Sequence, residues 1–422
     1  VKAFVVGSGA REHALCWLLS KSACIDKVYA APGNAGIAGL GQCFPDINPM
    51  DSNAVAASVR SYGADFVFIG PEAPCAAGLA DGLAAQGISV IGPPQASARL
   101  ESSKAFSKSF LFRHTIPTAD ARTFSSFPEF EEYIRRRGGE KLVVKQSGLA
   151  AGKGVRESDD TAELIGFGRR ILTRDSLLVE EYLTGWEVSV FALSDGLDYK
   201  LLPACTDFKK AHDGDLGPNT GGMGSVCPVP TVDHDLWGRI TREIVEPTFR
   251  GMNADGLNYK GVLYFGLMIT VHGPKVLEYN IRFGDPEAQV LLPMIDADFG
   301  EVCRAMLEQK LGALDIRPKP GAALGVVVAA DGYPGFYAKG IPVTGLPRTD
   351  EERLLVFHAS TGSDAAGVVR TGGGRCFTVV GRGDDLAQAS EIAYRYTSQV
   401  KFKGAWFRSD IGKIFIKGDL KS

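Results

Sequence analysis

The chain has 422 residues, 45% of them hydrophobic and 23% charged, with a formal net charge of −3. That length predicts roughly two to four domains or subdomains, and the balance is ordinary for a globular protein with a sizeable core. The near-neutral charge lacks the basic footprint of a nucleic-acid-binding protein, and no apolar run in the sequence reaches the length of a transmembrane helix.

The first 95 or so residues alternate between short apolar strands and helices. Phe4-Val5-Val6 reads as a buried strand, followed by the turn Gly7-Ser8-Gly9 and a helix through Ala14 to Leu19. Val28-Tyr29-Ala30, Phe66-Val67-Phe68-Ile69 and Ser89-Val90-Ile91 read as further strands, ending in Pro32-Gly33-Asn34, Gly70-Pro71-Glu72 and Gly92-Pro93-Pro94. Loops of this kind at the carboxyl ends of parallel strands form the ligand crevice of an open α/β sheet. Gly7-x-Gly9 starts a dinucleotide fingerprint, but Glu12 takes the third glycine position and no acid ends the second strand, so NAD is not expected. The helix N-terminus can still hold a phosphate, with Arg11 and His13 beside it. The plain alternative is that the glycines only make the turn.

One helix is expected over residues 95–113, stopped by Pro117. A compact α/β unit follows over residues 118–190. It contains the strand Leu142-Val143-Val144-Lys145 and a glycine-rich loop holding Lys153. Free backbone N–H groups and a cation suit nucleotide phosphates, although the loop lacks P-loop spacing; a solvated surface loop is the alternative. Leu177 to Glu187 reads as a buried strand entering a turn, where backbone groups can read an adenine edge and Glu187 a ribose. A hairpin with a surface acid explains it equally. Longer strands and the 217–224 loop fill residues 190–310. Consecutive N–H groups near Asn219 and Thr220 suit a carboxylate or phosphate, with Asp207 and Lys209 just upstream. From residue 324 the pattern is β-rich, with a helix over 386–400. The eight cysteines are scattered without a Cys-x-x-Cys pair, so neither zinc nor a disulfide framework is indicated and a reducing cytoplasm fits. The N-terminus reads directly as a strand, with no signal-peptide pattern.

Residues 277–287 carry the densest chemistry. They alternate with period two, placing Leu277, Tyr279, Ile281 and Phe283 on one face and Glu278, Asn280 and Arg282 on the other. Hard oxygen donors suit Mg²⁺ or Mn²⁺, and an Arg fork suits phosphate oxygens, so the spacing points to a metal-bound nucleotide. A solvated sheet face is the alternative. Asp285 before Pro286 reads as a helix N-cap, which explains that acid without a substrate contact.

Taken in register, these segments resemble the phosphoribosylamine–glycine ligases (glycinamide ribonucleotide synthetases) of the ATP-grasp superfamily. The likeness rests on Gly9-Ala10-Arg11-Glu12-His13, Pro32-Gly33-Asn34-Ala35-Gly36, Gly70-Pro71-Glu72-Ala73-Pro74 and Ser103-Lys104-Ala105-Phe106. It continues through Gly148-Leu149-Ala150-Ala151-Gly152-Lys153-Gly154, Gly217-Pro218-Asn219-Thr220-Gly221-Gly222-Met223-Gly224 and Arg282-Phe283-Gly284-Asp285-Pro286-Glu287. It spans essentially the whole chain. It implies an α/β multidomain protein: an N-terminal open parallel α/β domain (1–100), a small ATP-grasp subdomain (101–190) with a mobile lid over about 118–185, a central domain (191–320) and a C-terminal β-rich domain (321–422).

The resemblance also implies a reaction: ATP activates the glycine carboxylate as glycyl phosphate, and the amine of 5-phosphoribosylamine displaces phosphate. By resemblance, Glu278 and Asn280 are the ligands of Mg²⁺ or Mn²⁺, and Arg282 stabilises the transferring phosphoryl group. Lys104 and Lys145 contact ATP phosphates, Glu180, Tyr182 and Leu183 lie at the adenine, and Glu187 lies at the ribose. Gly9, Arg11, Glu12, Asn34 and Glu72 face phosphoribosylamine. Asp207, Lys209, Asn219, Thr220, Gly221, Gly222, Met223, Gly284 and Asp285 form the substrate side facing the γ-phosphate. A monomer in the cytoplasm is expected, with no nucleic-acid or membrane partner.

The sequence departs from the family pattern in places. Ser147 stands where an Asp is expected in the lid motif, Thr206-Asp207 replaces Gln-Asp, and the segment between Val155 and Leu177 is short. The strand through Tyr264-Phe265-Gly266-Leu267-Met268 lacks the acid that many other ATP-grasp ligases carry there; the family shares that absence. A different ATP-grasp ligase or carboxylase would keep the nucleotide chemistry and change the acceptor, and the 219–223 loop and the absent acid argue against it. A non-catalytic nucleotide-binding protein would be expected to lack Glu278, Asn280 or Arg282, and all are present.

Overall fold

The computed structural model describes residues 1–149, 154–349 and 352–418. The N-terminal strands form a five-stranded parallel sheet in the order Gln42–Cys43, Lys27–Pro32, Lys2–Gly7, Phe66–Ile69, Ser89–Ile91. Strands buried on both faces explain the continuous apolar runs. The chain order reverses beside Lys2–Gly7, so the loop after Gly7 opens at the switch point where such sheets hold ligands.

The expected single helix over 95–113 is two helices, Gln95–Ser102 and Lys104–Arg113. Ser103 separates them because its extended backbone and its hydroxyl cap the second helix, accepting from the Phe106 N–H at 3.3 Å. The break turns Lys104 and Lys108, one helical turn apart, toward the neighbouring cleft.

Residues 121–181 build a four-stranded antiparallel sheet, ordered Ala121–Phe124, Leu177–Glu181, Leu142–Gln146, Val155–Ser158, with the helices Phe127–Arg136 and Thr161–Ile171 packed on it. Its core, including Phe124, Phe130, Ile134, Val144, Phe167 and Val179, is a cluster of its own. The glycine-rich segment 150–153, with Lys153, lies outside the described residues.

The largest sheet has eight strands, ordered Gly273–Asn280, Lys260–Thr270, Trp186–Asp195, Tyr199–Asp207, Gly224–Cys227, Ala322–Ala329, Arg375–Gly383, Leu354–His358. The C-terminal strands therefore continue the central sheet, joined where Gly224–Cys227 pairs with Ala322–Ala329. The helix over 386–400 is observed as Leu386–Thr397 and covers the C-terminal part of this sheet. Among the described residues, no helix is long and apolar enough to cross a membrane.

Candidate active site

A cleft of about 1010 Å³ opens between the four-stranded unit and the eight-stranded sheet. The strand carrying Glu278 ends at Asn280 and does not run on to Phe283. An extra residue, Leu277, bulges opposite Gly266 and Leu267 and shifts the pairing register there. Glu278, Asn280 and Arg282 nevertheless all line the cleft, while Ile281 and Phe283 are buried behind them.

The three side chains differ in what already engages them. Glu278 is exposed and makes no ion pair among the described residues. Asn280 Oδ1 accepts from Arg282 Nη2 at 3.3 Å. Arg282 is clamped: Nη2 donates to Glu101 at 2.8 Å, Nε lies 3.2 Å from Glu72, and Nη1 donates to the Phe283 carbonyl at 3.1 Å. Burial opposes its charge, but Glu101 and Glu72 hold the guanidinium ionised well beyond its usual range. Burial likewise opposes the Glu72 charge, yet Arg282 and Arg11 bring that carboxyl down to about 2.

Opposite them stand the lysines. Lys145 lies one residue before the end of the strand Leu142–Gln146, and its Nζ lies 2.5 Å from Glu180. Lys108 meets the other Glu180 oxygen at 2.6 Å. Burial works against both Glu180 and Lys145, and their mutual attraction prevails, lowering the acid and raising the base. Lys104 donates to the Gly148 carbonyl at 3.3 Å, and burial lowers its pKa. Glu181, Tyr182, Leu183, Thr184 and Gly185 line the same wall. Lys141 Nζ sits 3.7 Å above the Tyr182 ring.

A third cluster closes the far end. Lys209 pairs with Glu187 and lies 3.5 Å from Asp207. Burial, with Glu187 and Glu278 nearby, raises Asp207 against the pull of Lys209. Glu287 is buried, accepts from Ser189 Oγ at 3.2 Å, and is pushed up to about 7 by burial and by Asp207. Asn219, Thr220 and Gly221 line the cleft here, with Gly284 and Asp285. Asp285 does not cap the following helix: that helix starts at Glu287 after Pro286, and Asp285 instead accepts from Gln289 Nε2 at 2.8 Å and lies 3.4 Å from Arg375.

The donor set of Glu278 and Asn280 would suit a small divalent cation that completes its coordination with nucleotide phosphates and water. Among the described residues no cluster of three or more His, Cys, Asp or Glu side chains suited to a metal exists.

Comparison with known proteins identifies the family. Residues 1–101, 102–288 and 323–414 match the N domain, the ATP-grasp domain and the C domain of phosphoribosylglycinamide synthetase. The chain belongs to the phosphoribosylglycinamide synthetase family. A phosphoribosylamine–glycine ligase of Rhodopirellula baltica is 43% identical over 96% of this chain and 96% of its own length. The ligase of Vibrio cholerae is 41% identical over 98% of both chains. A trifunctional purine biosynthetic protein of Gallus gallus is 43% identical over 97% of this chain, which spans 42% of that longer protein. The crystal structure of a Thermotoga maritima phosphoribosylamine–glycine ligase superposes with a TM-score of 0.82 at 33% identity, covering 98% of this chain and all of that one. A biotin carboxylase domain from Hydrogenobacter thermophilus superposes at 0.70 with 15% identity over 96% of this chain and 91% of that one, which shows the shared ATP-grasp fold.

Against the expectations drawn from this synthetase family, several residues sit differently. The Asn34 amide does not line the cleft: it donates to the Ser8 and His358 carbonyls at 2.9 and 2.8 Å and accepts from the Gly36 and Ile37 N–H groups at 2.9 Å each. Glu12 is buried, accepts from the Gly9 N–H at 2.6 Å and pairs with Arg11 at 2.5 Å, so it braces the turn at Gly9. His13 cannot assist an anion, because its buried ring accepts from the His358 N–H and burial depresses its pKa to about 3. The Met223 side chain is wholly buried in the core, and Gly222, at φ +110°, packs against Pro286. Ser147 joins the end of the strand Leu142–Gln146 to the helix at Lys104, since its hydroxyl accepts from Ala105 N–H at 3.2 Å and its carbonyl from Lys104 N–H at 2.9 Å.

Sequence reasoning missed Glu101, Lys108, Glu287 and Arg375. Lys108 was detectable as the residue one turn after Lys104. The others become visible only once distant segments meet.

Proposed function

We propose that the protein joins glycine to 5-phosphoribosylamine at the expense of ATP, giving glycinamide ribonucleotide, ADP and phosphate. The observation that carries this is the meeting, in one cleft, of Glu278 beside Asn280, two lysines, a clamped arginine and the 219–221 segment, whose Thr220 and Gly221 N–H groups are engaged by the Lys209 carbonyl and the Tyr333 hydroxyl. The match to phosphoribosylamine–glycine ligases over nearly the full length of both chains supports the same reading.

A carboxylate is a poor acyl donor, and phosphorylation supplies the leaving group. Transfer of the γ-phosphoryl group demands positioning and charge stabilisation more than covalent chemistry from the protein. Lys104 and Lys145 hold the ATP phosphates on the lid side, and Arg282, fixed by Glu101 and Glu72, neutralises charge on the transferring group. Glu278 and Asn280 hold Mg²⁺ or Mn²⁺, which supplies further neutralisation of the phosphate oxygens. The strand end at Glu180, Tyr182 and Leu183 borders the adenine, with Glu187 toward the ribose. The 219–222 segment borders the glycine, and the ionised Asp285 suits its ammonium group, leaving the carboxylate to face the γ-phosphate for in-line attack. The four-stranded unit closes as a lid and keeps water from the acyl phosphate. Arg11 and Glu72, at the mouth of the parallel sheet, face the phosphoribosylamine, whose amine then displaces phosphate.

The test is ADP release by purified protein with MgATP and glycine, with and without freshly generated phosphoribosylamine. ADP formation that needs both substrates and matches glycinamide ribonucleotide is the expected result. Glycine-independent ADP formation with another acceptor would overturn the reading.

A further inference from the structure

The glycine-side loop is held from outside the cleft. Arg375 opens the C-terminal strand Arg375–Gly383 and does not itself line the cleft. Its Nη1 donates to the carbonyls of Gly221 at 2.6 Å, Asp285 at 2.8 Å and Gly222 at 3.3 Å, and lies 3.4 Å from the Asp285 carboxylate. The Gly221 N–H in turn donates to the Tyr333 hydroxyl at 2.9 Å. Gly221 is thus gripped at both backbone groups by side chains that arise more than a hundred residues later. The guanidinium packs directly on this glycine: a Cβ at position 221 would lie 2.9 Å from the Arg375 guanidinium carbon. Residues 221 and 285 line the cleft on separate segments, and Arg375 is where the two segments are tied together.

We infer that Arg375, with Tyr333, is a positioning residue for the glycine-side subsite, fixing the 219–222 segment against Asp285 so that the C-terminal strands set the phosphoryl-acceptor geometry without touching substrate. The inference rests on the proposed reaction. A single cation bonded to several carbonyls replaces what would be repelling oxygen dipoles with a rigid node. Rigidity matters here because a misplacement of about 1 Å at a reacting group costs on the order of a hundredfold in rate. ATP binds on the other wall, built from residues 104, 145 and 180–187, which Arg375 does not reach.

The experiment compares wild type with Arg375→Met, Arg375→Lys and Tyr333→Phe. It reads kcat, KM for glycine, KM for phosphoribosylamine, and the Kd for MgADP. Wild-type turnover is measured first: if it fails to depend on glycine, the functional reading fails and takes the positioning role with it. Given a competent wild type, Arg375→Met is expected to raise the glycine KM at least tenfold and lower kcat at least tenfold. The MgADP Kd stays within about twofold, and Arg375→Lys recovers part of the loss. Tyr333→Phe, which keeps the ring and removes one hydroxyl, is expected to raise the glycine KM about threefold, and it carries the test if Arg375→Met does not fold. Glycine constants within twofold of wild type in the folded variants would overturn the inference. So would a parallel loss of MgADP binding, because a general structural defect does not respect the two walls.

Discussion

Lys145 Nζ lies 2.5 Å from a Glu180 oxygen, and both side chains are largely out of water. Lys108 occupies the other oxygen of the same carboxylate. One acid therefore holds two bases, leaving a net positive charge facing the cleft that an incoming phosphate chain can neutralise. Removing the acid strands two buried ammonium groups. Glu180→Gln is expected to cost about 3–5 kcal/mol, the usual penalty for breaking a buried ion pair. The pH dependence has a definite sign. The folded pKa of Glu180 lies below its ordinary value of 4.5, so its contribution is present above that pH and is lost as pH falls through the lower folded value. Urea unfolding of parent and variant should show a wide gap at pH 7 that narrows below about pH 4. Equal stability at pH 7 would remove the pair from the account.

Glu278 presents the opposite situation, an exposed carboxylate with no ion-pair partner among the described residues. Its charge favours the ionised forms of Lys104 and Lys145, but only at a distance. Glu278→Gln should therefore keep its melting temperature within a few degrees while turnover falls by roughly a hundredfold or more, as expected when transition-state charge stabilisation is removed. In thermal-shift measurements the stabilisation by ATP should require Mg²⁺ in the parent and lose that requirement in the variant. Normal turnover by a folded Glu278→Gln protein would end the metal assignment.

How far the sequence disclosed this site depends on the range of each interaction. The parallel sheet was legible because Phe66–Ile69 and its neighbours are continuous apolar runs ending in glycine- and proline-rich loops, a local signal. Glu278, Asn280 and Arg282 were legible because alternation along one strand is also local. The break at Ser103 is a capping signal masked by the helical periodicity on either side of it. The clamp on Arg282 was not legible, since Glu101 reaches it across 181 residues of chain. Asn34 illustrates the converse: a polar residue in a family motif invites a substrate role, whereas its buried amide here engages backbone groups of the protein. The C-terminal strands read as a β-rich domain, and their continuation of the central sheet was not legible because no local pattern states which sheet a strand joins.

Glu287 is biased toward its protonated form. Burial and the facing Asp207 raise its pKa to about 7, against the opposing pull of Lys209 and Arg282. Because the folded state binds this proton more tightly than the unfolded chain, the stability it confers is present below about pH 4.5 and is lost progressively as pH rises to about 7. Every tenfold gain in proton affinity on folding is worth about 1.4 kcal/mol, so roughly 3 kcal/mol is at stake. Glu287→Gln, which mimics the protonated acid, should match the parent at pH 4.5 and exceed its stability at pH 8. Chemical denaturation at the two pH values decides it, and identical curves for the pair at pH 8 would show that Glu287 is ionised at no cost.

Asn34 brings the sharpest choice between bracing and binding. Its amide donates to Ser8 and His358, one in the N-terminal sheet's switch-point loop and the other in the last strand of the large sheet, while its oxygen takes two N–H groups of the next turn. A side chain so fully engaged and 8% exposed has no donor left for a substrate. Asn34→Ala would leave these buried backbone groups unpaired, at about 1–3 kcal/mol each where water cannot replace the amide. The expected outcome is a loss of about 3 kcal/mol in stability with the KM for phosphoribosylamine within threefold of the parent. Asn34→Asp should be worse, since a carboxylate would face the Ser8 and His358 carbonyl oxygens without a proton to offer. If Asn34→Ala instead kept its stability and raised that KM tenfold or more, the amide would have to leave its present partners in the complex, and the N-terminal loop would be a binding element that rearranges on closure.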